Sequence, residues 1–189
     1  TDSEKRNAVI NELQSIGNIR IKILLHSLAF GALKPVIDND PSNALQPRQV
    51  EMTLDVMGHS LLYWVQGLYH ANLLQKGSQI FSMTSSGGHL QWKSYGAVSA
   101  AKASLESYSR QLAVELSEFG IASNAIQAGV TDTPALRKIP GNEEMLERAI
   151  SLNPGKRLTM PEDVAKFIAL VGLSEESWLT GNTIRVDGG

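Results

Sequence analysis

The chain of 189 residues contains no cysteine. Disulfides, thiol chemistry and cysteine-ligated metals are therefore excluded, and no metal is called for. The absence suits a reducing compartment, and a cytoplasmic location is the expectation. Charge of one sign is lacking too: 17 Lys and Arg stand against 19 Asp and Glu, a net charge of −2. No run of Lys or Arg breaks that balance, which argues against binding nucleic acid or an acidic membrane surface. Long apolar runs are missing as well. No stretch approaches the ~20 residues that a membrane-spanning helix requires. Residues 1–7 are polar and charged with no apolar segment behind them, so no secretory leader is expected. Internal repeats, low-complexity tracts and linkers are absent, so one domain over residues 1–189 is expected.

One more feature is missing. Nucleotide-binding sheets open with strand, glycine-rich turn and helix, which set backbone N–H groups against a pyrophosphate. Gly87-Gly88 follows a strand-like run, but no third glycine arrives at the right spacing. Either the fold takes no dinucleotide, or the opening of a longer protein lies outside these residues. The helical pattern of the first residues favours the second.

What remains is ordinary for a globular protein: 42% hydrophobic and 19% charged residues. Residues 2–16 read as a helix capped by Asp2 or Ser3, with Ala8, Val9, Leu13 and Ile16 on one face and Gly17 after its end. Residues 19–25 read as a buried strand. Residues 32–46, with Pro35 and Pro41, are a long loop. Pro47 suits a first helical position, and a helix over 48–74 follows. Its core stripe is Val50, Leu54, Met57, Leu61, Leu62, Val65, Leu68 and Leu73, and Gly77 closes it. Trp64 and Tyr69 on it read as core or interface. A strand over 78–84, a turn at 85–88 and a helix over 94–119 come next. That helix carries Leu105, Tyr108, Leu112, Leu116 and Phe119, and ends at Gly120. A strand over 121–127, helices over 143–151 and 161–173, and a turn, strand and turn over 181–189 complete the chain. The alternation implies an α/β, Rossmann-like parallel sheet with helices on both faces and its N-terminal strands missing. Ligands of such sheets bind beyond the carboxyl ends of the strands. Residues 26–31, 84–88 and 128–133 sit there.

Tyr95 stands seven residues before Lys102, almost two helical turns. Both can leave one face if the helix has begun by Tyr95. An ammonium beside a phenol lowers the phenol's pKa, which would make Tyr95 a proton donor. Tyr and Lys on one helix face are common, so the pair alone does not establish a site. His26, at a strand end, reads as a packed, hydrogen-bonded residue. Trp92 would line a pocket or cover an apolar edge.

From residue 21 onwards the chain resembles the C-terminal two-thirds of a short-chain dehydrogenase/reductase. The likeness rests on residues 78–116, with Lys102-Ala103-Ser104-Leu105-Glu106; on Ile121-Ala122-Ser123-Asn124-Ala125-Ile126 followed by Gly129; on Pro161-Glu162-Asp163-Val164-Ala165; and on the closing Val186-Asp187-Gly188-Gly189. Most of that family places Tyr four residues before Lys, where this chain has Val98. A spacing of seven resembles the enoyl-[acyl-carrier-protein] reductase branch. His26-Ser27-Leu28-Ala29-Phe30 resembles that branch too, and Met57 stands where the main family has an active-site Asn. Residues 128–136 with Ile139-Pro140 are most similar to the type III enzymes, which use NADPH; NADH is the alternative.

The resemblance implies hydride transfer from NADPH to a trans-2-enoyl thioester on acyl carrier protein, in fatty-acid synthesis. Tyr95 would hydrogen-bond the thioester oxygen, Lys102 would hold the nicotinamide ribose, and Ser85 would give a second hydrogen bond. Ser27 and Ala29 would approach the cofactor through the backbone. Gly129 would belong to the cofactor loop, with Thr131 on the carboxamide and Thr133 on a phosphate. Residues 134–151 would be a mobile substrate lid, its apolar wall Ala135, Leu136, Ile139 and Met145. The helices over 48–74 and 94–119 would pair in a homotetramer. Many enoyl reductases carry a second Tyr where this chain has Ser85, so a carbonyl reductase stays open. So does a non-catalytic fragment or scaffold.

Overall fold

The computed structural model of the chain describes residues 2–174 and 178–189. Four strands, β1 (Ile23–His26), β2 (Gln79–Ser85), β3 (Ala122–Ala128) and β4 (Thr183–Val186), form one parallel sheet in the order β1-β2-β3-β4. Parallel strands are buried on both faces and read as continuous apolar runs. Consecutive residues of β2 show this: Ile80 enters one core and Phe81 the other. On the Ile80 side lie α1 (Ser3–Ser15), the long helix formed by α2 (Pro47–Leu54) and α3 (Ser60–His70), and α4 (Gly96–Leu116). Their Ile10, Leu61, Val65, Leu68, Leu105, Leu112 and Leu116 close over Ile80 and Ile121. On the Phe81 side, α6 (Pro161–Leu173) packs Val164 and Ile168 against Phe81 and Ile126. The expected sheet with helices on both faces is present. A short helix, α5 (Asn142–Leu152), stands after the β3 exit.

Two boundaries differ from the sequence expectation, each for a physical reason. The strand expected from residue 19 starts only at Ile23, because Ile23 pairs with Gln79, the first residue of β2. Before Gln79 the neighbour is a turn, so Ile21 bonds outside the ladder, its N–H to the Leu73 carbonyl and its carbonyl to the Ser78 hydroxyl. The helix expected to run to residue 74 ends at His70, not at Gly77. Asn72 adopts a left-handed φ of 57°, the Leu73 N–H reaches the Leu68 carbonyl, and the Asn72 N–H reaches that of Tyr69. That is a Schellman ending with Asn in the place usually held by Gly. Phe119, at the end of the expected helix, is 42% exposed and packs on the Tyr69 ring.

The long helix is not regular. Residues Asp55–His59 form one π-helical turn, with the Ser60 N–H reaching back to Asp55. The Ser60 hydroxyl donates to the Val56 carbonyl at 2.6 Å, a back-bond that competes with the helical ladder. The widened turn sets Gly58 against α4, where a Cβ would stand 3.3 Å from the Ala101 carbonyl oxygen. Met57 is thereby packed on Val98, Ala101 and Tyr95.

At the opposite side of the sheet, Asn124 of β3 is fully buried. Its amide donates to the Leu179 carbonyl at 2.7 Å and accepts from the Asn182 backbone N–H at 3.1 Å, so it anchors the turn that feeds β4. Asn124→Leu keeps the volume and strands both partners. We expect a loss of about 2 kcal/mol, read as a lower urea midpoint at constant m-value; an unchanged midpoint would contradict this anchoring.

Candidate active site

The carboxyl ends of β1, β2 and β3 converge on one side of the molecule. At the end of β2 the chain makes a single 3₁₀ turn, Ser86–Gly88, and then enters α4 with Tyr95 as its N-cap residue. Ser94, just before, holds a left-handed φ of 62°. For a non-glycine residue this costs about 1 kcal/mol, and here it turns the chain so that the phenol faces the turn. Gly87 lies under the ring: a Cβ there would stand 2.5 Å from Tyr95 Cε1 and 3.2 Å from Ser85 Oγ. A glycine is needed for the phenol to reach Ser85.

Burial pushes the Tyr95 phenol above its ordinary pKa, and the Ser85 hydroxyl works against that rise. The sequence expectation was the reverse, a phenol lowered by Lys102. The geometry explains the difference. Lys102, 6% exposed, turns its ammonium to the Met83 carbonyl at 2.7 Å, into the protein. Burial lowers Lys102 to about 8, and the carboxylate of Glu106 opposes that fall. Ser85 Oγ is buried and has no complete hydrogen bond to any described group. The structure therefore sets Ser85 beside a Tyr95 phenol that burial keeps protonated, while Lys102 turns its ammonium inward to β2.

His26, at the end of β1, is 5% exposed. Its Nε2 lies 2.7 Å from Ser60 Oγ. That hydroxyl spends its proton on Val56, so Nε2–H is the donor and Nδ1 is a bare acceptor, buried and unpartnered. Burial, then the positive charge of Lys102, lowers His26 to about 4. It is a packed neutral imidazole, as its position suggested.

The remaining expected residues lie at the exits of β1 and β3. Ser27 and Ala29 are exposed at the β1 exit. Gly129 follows β3, and a Cβ there would meet Thr159 Oγ1 at 2.2 Å and the Asp187 backbone at 3.0 Å, so its smallness serves packing. Thr131 Oγ1 donates to the Gly129 carbonyl at 3.0 Å. Thr133 Oγ1 accepts the Leu136 N–H at 3.2 Å, at the entry to the short turn Leu136–Lys138. Of the expected apolar wall, Ile139 is already buried. Trp92 was expected as pocket or cover, but its indole N–H donates to the Pro140 carbonyl at 3.0 Å. It joins the loop before Tyr95 to the segment over α5. Sequence reasoning missed Glu106, although a carboxylate four residues after Lys102, on the same buried stripe as Leu105, Ser109 and Leu112, was a visible signal.

The whole chain, residues 1–189, matches the family model described as enoyl-(acyl carrier protein) reductase. The chain belongs to the enoyl-(acyl carrier protein) reductase family. Among curated relatives, a chloroplastic tropinone reductase homologue of Arabidopsis thaliana is 23% identical over all of this chain and 57% of its own length. The NADH-dependent enoyl-[acyl-carrier-protein] reductase of Salmonella typhimurium is 27% identical over 92% of this chain and 66% of its own. The chain thus spans roughly half to two-thirds of such relatives. Of solved structures, the Aquifex aeolicus enoyl-[acyl-carrier-protein] reductase (NADH) superposes with a TM-score of 0.88 at 24% identity, over 100% of this chain and 72% of that one. The Bacillus cereus enoyl-acyl carrier protein reductase, bound to NADP+ and an indole naphthyridinone, gives 0.85 at 25%, over 100% and 71%. The fold is that of these enoyl reductases.

The buried His26 has a consequence for stability. Its folded pKa, about 4, lies below the unfolded value of 6.5, so the unfolded chain binds more protons between them. Stability is fully present above pH 6.5 and is lost as pH falls towards 4, by about 3 kcal/mol if this group acts alone. Urea midpoints measured across that window should show the loss, and His26→Gln should flatten it. An equal slope in both proteins would contradict the assignment.

Proposed function

We propose that the protein reduces the carbon–carbon double bond of a trans-2-enoyl thioester carried on acyl carrier protein, with NADPH as hydride donor, in the fatty-acid synthesis of the cytoplasm. The observation that carries this reading is the placement of Tyr95. It stands at the N-cap position of α4, seven residues before Lys102. Val98, at the four-residue spacing of carbonyl-reducing relatives, is buried in a core with Met57 and Ala101. Family membership supports the same reading.

The residues present suit a nicotinamide dinucleotide. Lys102 uses one N–H on Met83, and its other donors have no acceptor among the described residues, so they are free for ribose hydroxyls. Ser27, Ala29, Gly129, Thr131 and Thr133 rim the same side and would hold the rest. The cofactor, when bound, would supply hydride to the β-carbon of the enoyl group, and the thioester oxygen would then carry the developing negative charge. Tyr95, kept protonated by burial, donates a hydrogen bond to that oxygen, and Ser85 gives a second. The Lys102 ammonium is buried against the Met83 carbonyl of β2, two residues before Ser85. Water delivers the proton that the α-carbon takes up. Trp92 pins the segment over α5 as a cover, and Leu136 and Met145 offer it an apolar lining. The choice of NADPH rests on residues 128–140, while the Salmonella relative is named for NADH. Pairing through α2–α3 and α4 would give a homotetramer.

A carbonyl reductase is the second reading. Ser85 beside the phenol favours it, as does the tropinone reductase homologue among the relatives. There Tyr95 would protonate an alkoxide directly. The two separate in one assay: NADPH oxidation by the full-length protein with a crotonyl thioester and with an acetoacetyl thioester. We expect turnover of the first. Tyr95→Phe should lower kcat/KM by about 100-fold or more, the usual effect of one oxyanion donor, with an unchanged circular dichroism spectrum. Turnover of the acetoacetyl thioester alone would overturn the enoyl reading.

A further inference from the structure

A second charge lies beneath the site, and the reaction just described does not use it. Glu106 is 2% exposed. One carboxylate oxygen accepts the Thr84 hydroxyl at 2.6 Å, and the other meets His89 Nε2 at 2.9 Å. These partners come from different elements. Thr84 is near the end of β2, His89 follows the Ser86–Gly88 turn, and Glu106 sits one helical turn beyond Lys102 on α4. The carboxylate therefore clasps strand, turn and helix at the one point where all three meet. Gly88 closes over it: a Cβ there would stand 3.2 Å from Glu106 Oε1 and 3.6 Å from Lys102 Cβ. The next residue back in the same turn, Gly87, lies under the Tyr95 ring. The turn is thus held by the carboxylate on one side and supports the phenol on the other.

A buried carboxylate costs several kcal/mol of desolvation unless neighbours offset it. A glutamine in its place would accept the Thr84 hydroxyl through its oxygen and donate an amide N–H to His89 Nε2, with the imidazole in its other tautomer. What an amide cannot supply is a negative charge near a buried ammonium. Among the described residues Lys102 makes no ion pair within 4.0 Å and is held at Met83, yet the Glu106 charge opposes the effect of burial on it. The titratable groups facing this region are Lys102, His89 and, across the turn, Tyr95, with His26 beyond Lys102.

We infer that Glu106, clasped by Thr84 and His89, is a positioning residue that keeps Lys102 charged and holds the Ser85–Gly88 turn beneath Tyr95. The inference rests on Tyr95 and Lys102 being the reacting pair, but its test does not need their substrate. In the full-length protein carrying ¹³Cε-lysine, the Lys102 signal is assigned by its loss in Lys102→Met and followed through pH. Glu106→Gln should lower the Lys102 titration by about one pH unit. The basic limb of kcat/KM, on whichever thioester is turned over, should move with it. Glu106→Asp keeps the charge and shortens the reach. It should titrate Lys102 as the natural protein does while lowering kcat. A merely structural carboxylate predicts the reverse order, with Gln closer to the natural protein than Asp. A Lys102 titration unmoved in Glu106→Gln would overturn the inference. If that variant does not fold, a Lys102 titration lowered in Glu106→Asp would do the same. Failure of the enoyl reading alone would leave both titrations as expected.

Discussion

The structure depends on how one ammonium is kept inside a protein. Lys102 is nearly inaccessible to water, and its Nζ donates to the Met83 carbonyl at 2.7 Å. Burying a charge of that size costs several kcal/mol after relaxation. The price is visible in its acidity, lowered to about 8. Above the unfolded value of 10.5 both states are neutral. As pH falls from there to 8, the unfolded chain gains a proton that the folded chain resists, so Lys102 opposes folding at neutral pH. A fold seeking only stability would place an apolar residue there. The Met83 carbonyl, the Glu106 carboxylate and the packing of β2 on α4 are what make the charge tolerable.

That constraint sets the positions of its neighbours. For Nζ to reach a β2 carbonyl, α4 must lie close to the sheet, and the long helix must lie close to α4. Small residues permit both contacts. Gly58, in the π-helical turn, admits the Ala101 backbone, and Gly88 admits the Glu106 carboxylate. The π turn also points Ser60 at His26, which leaves a neutral imidazole near the ammonium rather than a second cation. At the mouth, Ser94 takes up local strain and Gly87 leaves room, so the phenol of Tyr95 stands beside Ser85. The candidate site is therefore a by-product of helix–sheet packing around one charge, completed by a turn.

Much of this was legible in the residues, and the rest was hidden for identifiable reasons. Pro161 at a first helical position gave the start of α6 correctly, and Gly17 with φ 71° ends α1 as its place suggested. Local chemistry decides such ends. The start of β1 depends on where β2 begins, which no local pattern contains. The end of the long helix was missed because Asn72, not a glycine, takes the left-handed position. Tyr95 and Lys102 stood out by spacing, but the direction of the phenol's pKa did not. It depends on which way Lys102 points, and a helical face does not say whether a long side chain turns out or in. Glu106 was overlooked because a Glu on a helix reads as solvated unless the stripe it shares is counted.

The central claim is that this charge and this phenol serve the reduction of a carbon–carbon double bond. Its most direct test is the fate of the hydride. The full-length protein would be supplied with crotonyl thioester and NADPH carrying deuterium on both C4 positions, and the product examined by NMR. The account predicts deuterium on the β-carbon of a butyryl thioester and none on its α-carbon. Deuterium found only on a carbinol carbon, when the 3-oxoacyl thioester is supplied instead, would contradict it.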